Sequence, residues 1–358
     1  LEDVYERLRR KLDEWPIGFP KSEEALEILR VLYTPEEAEL ALKLPLVTQT
    51  LEEIAAQLKE DPDRLRKRLD KMADKGTVFA VEREGKKLYR LLPSIVGFSE
   101  TPFWPGMMND IVLKLAPLWK SYFERKFAYE IGDRKQSILR VIPVDISISH
   151  GSQITPYEDI KELLKANKFF AVANCPCRQV ARYTGGGCNH SLEVCLHFDS
   201  MGQYIVEHGM GREITREETL EILRKANQEG LVHVTENHRG KIATICNCCS
   251  DCCIFFRALK LAKLPRALAR SNYVSTVNTN LCTACGTCAE RCPMEAITVK
   301  EFAEIDEHRC VGCGVCYPTC PNEAIKLVRR PEEHISEIPD NKAFIINMLK
   351  EKTEKRGQ

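Results

Sequence analysis

Cys282-x2-Cys285-x2-Cys288-x3-Cys292-Pro293 and Cys310-x2-Cys313-x2-Cys316-x3-Cys320-Pro321 are one cysteine pattern written twice, in LCTACGTCAERCPMEAI (residues 281–297) and RCVGCGVCYPTCPNEAI (residues 309–325). Three thiols at this spacing come from one looped segment, whose backbone N–H groups can face cluster sulfurs. A fourth follows after a short turn of helix, and the proline then leads the chain away. The spacing is that of [4Fe–4S] ligands, and a double zinc site or a disulfide scaffold accounts for it poorly. Gly286 and Gly314 hold matching places inside the two loops, where a side chain would crowd a cubane. The repeat predicts two halves related by a local two-fold axis. This stretch reads as one that moves electrons.

The 358 residues allow two or three domains, each able to bury a core. All seventeen cysteines lie between Cys175 and Cys320, leaving the first half with none. The opening LEDVYERLRRKLDEW is charged and amphipathic rather than leader-like, and no apolar run is long enough for a membrane helix. Low-potential clusters are oxygen-sensitive, so the expectation is the reducing cytoplasm of an anaerobe. With 52 basic against 52 acidic residues, general coating of nucleic acid is disfavoured.

Residues 1–97 are expected to form a winged-helix-like domain. EALEILRVLY and PEEAELALKL carry apolar residues at helical spacing, and Thr50 with Glu53 makes a capping box for LEEIAAQL. Asp61-Pro62 opens a helix ended by Gly76, and TVFAVEREGKKLYRLL reads as a hairpin turning at Glu84-Gly85. Arg64, Arg66, Lys67, Arg68 and Lys71 on the helix, with Arg83, Lys86 and Lys87 on the wing, would face DNA. Asp61, Asp63, Asp70 and Asp74 on the same helix would repel it, so a docking or structural role is preferred. Residues 98–138 form a bridging helical segment in which Pro117 should kink or interrupt the helix, and Trp104, Trp119, Tyr122 and Phe123 pack one domain on another.

Residues 139–270 alternate strand and helix and read as an α/β cysteine-rich metal-binding domain. RVIPVDISI is a strand candidate, PYEDIKELLKAN a helix, and KFFAVAN a strand running into Cys175-Pro176-Cys177-Arg178. Cys188 follows a glycine run whose amides could approach cluster sulfides, and Cys195 is placed on a helix beginning SLEV. Thr215 and Glu218 cap TREETLEILRKANQEG. A hairpin, LVHVTEN then KIATI, delivers Cys246, Cys248, Cys249, Cys252 and Cys253, the last three read as sharing a helix face. Two strands thus end in cysteine knots, which predicts one shared metal-binding edge. These nine cysteines suffice for one or two further [4Fe–4S] clusters. Cys175, Cys177, Cys188 and Cys195 are the first candidates, zinc is the alternative, and the pairing is left open. His197, beside Phe198 and two after Cys195, is the one histidine singled out.

Residues 271–331 resemble the bacterial two-cluster ferredoxins. That resemblance implies a 2[4Fe–4S] domain in which the fourth cysteine of each run serves the other cluster. One set is then Cys282, Cys285, Cys288 and Cys320, and the other Cys310, Cys313, Cys316 and Cys292. The whole chain resembles a group of winged-helix/ferredoxin iron–sulfur proteins of anaerobes, through RVIPV…PYEDI…AVANCPCR and EVCLHF…GREITREETLEILRKA…ICNCC. Residues 332–358 are taken as a C-terminal tail. The fold class is α+β multidomain. The leading function is electron transfer to a redox partner or oxidoreductase subunit, with a homo-oligomer among the assemblies considered. The alternatives are a reductase with an open-iron cluster and a DNA-binding redox sensor. No dinucleotide fingerprint, P-loop or Ser/His/Asp arrangement is present.

Overall fold

A computed structural model describes residues 2–144 and 158–356; residues 145–148 of the first strand candidate and 156–157 of the helix after it lie outside that range. The chain opens with α1 (Val4–Leu12), α2 (Glu23–Leu32), α3 (Pro35–Ala41), β1 (Gln49–Thr50), α4 (Leu51–Leu58) and α5 (Pro62–Asp74). A hairpin of β2 (Val78–Arg83) and β3 (Lys86–Leu91) follows, and the three strands pair in the order β1-β3-β2. Local chemistry sets these limits. Reciprocal capping boxes at Thr34/Glu37 and Thr50/Glu53 start α3 and α4, and Asp61 with Pro62 at the first turn starts α5. Glu84 and Gly85 both take positive φ, the geometry of a two-residue hairpin turn.

The bridge holds α6 (Asp110–Tyr122), a π-turn over 123–127 and α7 (Ala128–Gly132). Pro117 does not interrupt α6. It sits on the exposed face, and the carbonyl it leaves without a donor belongs to Leu113, itself 45% exposed, so water can satisfy it. Trp104, Trp119 and Tyr122 are fully buried and Phe123 partly so; Trp119 and Tyr122 lie 6.1 and 5.1 Å from Phe19.

The centre is built from β4 (Leu139–Ile142), α8 (Ile160–Leu164), β5 (Phe170–Asn174), α9 (Pro176–Tyr183), β6 (Glu193–Phe198), α10 (Asp199–Glu207), β7 (Arg212–Ile214), α11 (Arg216–Gln228), β8 (Val232–Glu236), β9 (Thr244–Cys248) and α12 (Ile254–Lys260). Its six strands run antiparallel in the order β4-β8-β9-β6-β5-β7. Cys195 is therefore on a strand, not a helix. From Val194 to Phe198 β6 is buried on both faces between β5 and β9, so its apolar run lacks the alternation that marks a strand. Cys249 and Cys252 also leave the expected helix face: they lie in the turn after β9, and Cys253 is the N-cap of α12.

The first segment and the centre are fastened together through α10. Tyr204 donates to the Ala73 carbonyl at 3.1 Å, His208 lies 2.6 Å from Asp74, and Arg83 donates to Ser200. The last segment holds β10 (Tyr273–Val277), α13 (Thr287–Arg291), β11 (Ile297–Val299), β12 (Ala303–Ile305), β13 (Ile325–Arg329) and α14 (Asn341–Arg356). β10 pairs with β13 and β11 with β12, each pair antiparallel. The residues expected to trail as a tail instead contain α14, which packs back on the start of the chain, where Lys352 Nζ lies 3.0 Å from Asp13 and 3.3 Å from Glu130. Among the described residues, no helix is long and apolar enough to cross a membrane.

Candidate metal centres

The eight cysteines of the repeat fall into two neighbourhoods. Cys282, Cys285, Cys288 and Cys320 line one small cavity, walled by Val299, Ala303 and Ile325. Cys310, Cys313 and Cys316 are each buried, and their electrostatic neighbours include Cys292. Each quartet thus draws its fourth thiol from the other run. Backbone amides turn toward sulfur, as in Ala303 to Cys282 at 3.4 Å, Ala324 to Cys320 at 3.2 Å and Ala296 to Cys292 at 3.3 Å. Such donors stabilise thiolate and cluster charge, so these residues fit a cubane. Gly286 and Gly314 have φ of +85° and +76°. A Cβ at Gly286 would meet no protein atom, so backbone conformation is the constraint the chain itself shows there.

The two quartets differ in setting. Cys285 is exposed, as is the neighbouring Leu281, whereas Cys310 and Cys313 belong to the same continuous core as Cys195, Cys248 and Cys253 of the central sheet.

The nine central cysteines gather at one edge because β5 and β9 both run antiparallel to β6, so Asn174 and Cys248 end their strands on the same side. Cys246 and Cys248 share one face of β9. Six thiols shift one another electrostatically, in the sequence Cys175, Cys177, Cys253, Cys248, Cys246 and Cys195. Together with Cys249, which borders both groups, they line a cavity of about 60 Å³ closed by Val96, Trp104, Val194, Ile254 and Phe255. Cys188 does not line it. Its sulfur lies 3.7 Å from both Cys249 and Cys252. The structure thus brings Cys175, Cys177 and Cys195 to one cavity and places Cys188 in a second group.

Neighbouring thiols pull one another's acidity apart. Contacts with Cys195 and Cys248 hold Cys246 well below the usual thiol range, while Cys195 is pushed up by that contact and by burial. Cys253 is held down to about 5 by Cys177 and Cys248, and Cys249 to about 6 by Cys252 and then Arg178. Arg178 is fully buried and donates to the carbonyls of Ser191 at 2.9 Å and Asn247 at 2.7 Å, with its Nε unpartnered. A buried guanidinium needs compensating negative charge. The charges that act on it most, against the burial that disfavours its charged form, are Cys175, Cys249, Cys248 and Cys188. Ionised, metal-bound thiolates meet that need and neutral thiols do not, so the residues fit a thiolate-held metal group.

Several contributors carry no cysteine signal in the sequence. Glu100 lines the cavity, accepts from Gly97 N and Ser99 Oγ, and is pushed up to about 8 by burial. His197 is pushed down to about 4 by burial; it sits 3.2 Å from Cys195 Sγ and edge-on to Trp104 at 4.7 Å. The glycine run before Cys188 is used differently from the expectation. Gly186 N and Gly185 N close the end of α9 on Ala181 and Arg182, so those amides are not free for sulfide.

Residues 281–325 match the family described as a 4Fe-4S dicluster domain. No curated protein and no solved structure matches the chain. The C-terminal segment that the repeat marks out is a ferredoxin-like iron–sulfur domain.

Proposed function

We propose that this chain is an iron–sulfur electron-transfer protein or redox subunit. In this reading it takes electrons at the exposed Cys285 side and passes them inward to a third centre held by four of the thiols that line the central cavity. The observation that carries the reading is how the inner cysteine loop docks on the central sheet: Val144, two residues beyond β4, donates its N–H to the Cys313 carbonyl at 3.0 Å. Bound [4Fe–4S] clusters supply one-electron chemistry. The protein's part is to hold them close, exclude water with Val311, Ile297 and Ile325, and set potentials through amide donors. A redox partner would meet the face around Leu281 and Cys285. DNA sensing is disfavoured because two of the three wing cations are engaged with α10, Arg83 with Ser200 and Lys87 within 4.0 Å of Glu207.

Reductive titration of anaerobically purified protein with a low-potential dye tests this reading. Uptake of about three electrons per chain, one per cluster, is expected. Uptake of about two, unchanged in Cys253→Ser, would limit the electron path to the ferredoxin segment.

A further inference from the structure

Cys188, Cys249, Cys252 and Asp251 place three sulfurs and a carboxylate oxygen all within 4.8 Å of one another. We propose that these four residues bind a single tetrahedral divalent ion, zinc, at a site separate from the cubanes. Ligand spacing carries the proposal. With Zn–S of about 2.3 Å, a tetrahedral ion sets its thiolates about 3.8 Å apart, and Cys188 Sγ lies 3.7 Å from the sulfurs of both Cys249 and Cys252. A cubane instead puts a different iron under each thiolate, which spreads its ligand sulfurs farther than one ion does.

Local structure explains why these residues converge. Cys249, Asp251 and Cys252 come from the tight turn between β9 and α12, so three ligands share one short segment. Cys188 is brought across from the loop after α9, whose end is closed by Gly185 and Gly186. Three thiolates and a carboxylate around a divalent ion leave net negative charge. Buried Arg178, with an unpartnered Nε and with Cys249 and Cys188 among the charges that act on it, offsets that charge. A soft thiolate set favours zinc over ferrous iron in the usual affinity order. Cys249 and Cys252 are buried while Asp251 is exposed and borders a surface groove with Lys120 and Arg257. The carboxylate is thus the ligand that a chelator reaches first.

The test is elemental analysis of full-length protein purified anaerobically from zinc-containing medium. The expected result is about one zinc per chain beside the iron. Cys252→Ser should lose that zinc while iron and acid-labile sulfide stay unchanged. Asp251→Asn changes an exposed side chain and so leaves folding intact; it should release zinc to a chelator at least about tenfold faster than wild type. Equal loss of iron and sulfide in Cys252→Ser, absence of zinc from wild type, or unaltered zinc release in Asp251→Asn would each overturn the proposal. Absent zinc or unaltered zinc release leaves electron uptake by the clusters as proposed above, whereas iron loss in Cys252→Ser would assign Cys252 to a cubane, so this site and the relay fail separately.

Discussion

Arg178 is the residue on which the electrostatics of the central sheet turn. A guanidinium buried among thiols is tolerable when they are ionised and a burden when they are not. Arg178→Gln is therefore expected to destabilise metal-loaded protein by about 3–5 kcal/mol, the scale for leaving buried charge uncompensated. Metal-stripped protein should lose much less. Thermal melts of both proteins in both states provide the check, and equal losses would mean that Arg178 is only a packing residue. At this scale the cysteines were legible and their companions were not. Cys175-Pro176-Cys177 announced itself by spacing. Glu100, Asp251 and the role of Arg178 did not, since one acidic or basic residue carries no pattern until the strands meet.

Among the elements, β6 decides the site, for it holds β5 and β9 apart and in parallel with each other. Leu196 on β6 is fully buried, so Leu196→Ala should cost about 2–5 kcal/mol by denaturant unfolding. An exposed strand with water on one face would lose far less. The helices and hairpin of the first segment were readable because capping boxes and turn residues act locally. β6 was misread because burial on both faces erases its period, and Ser191 and Glu193 imitate a helix start. The hairpin's engagement with α10 was likewise invisible, being a contact between distant segments. Tyr204→Phe, which removes the bond to Ala73, should lower stability by about 1 kcal/mol. It should also speed proteolytic release of the first segment.

For the molecule as a whole, the second cysteine run docks on the central sheet that gathers the nine central thiols, while Cys285 of the first run is exposed. Contacts that stitch the ferredoxin segment to the centre, such as Val144 N to Cys313 O at 3.0 Å and Arg291 to Gln228 O at 2.8 Å, involve cluster-bearing loops directly. The repeat told what the C-terminal segment binds. It could not tell which quartet faces inward, because that depends on how the segment docks. The most direct test of the central claim is iron and sulfide analysis, with EPR of the reduced protein, on wild type and Cys253→Ser. The account predicts about twelve irons per chain in wild type, four per cluster, and about eight in the variant. The spin-coupled ferredoxin signal should persist in the variant. About eight irons in both proteins, with identical spectra, would contradict a third cluster in the central sheet.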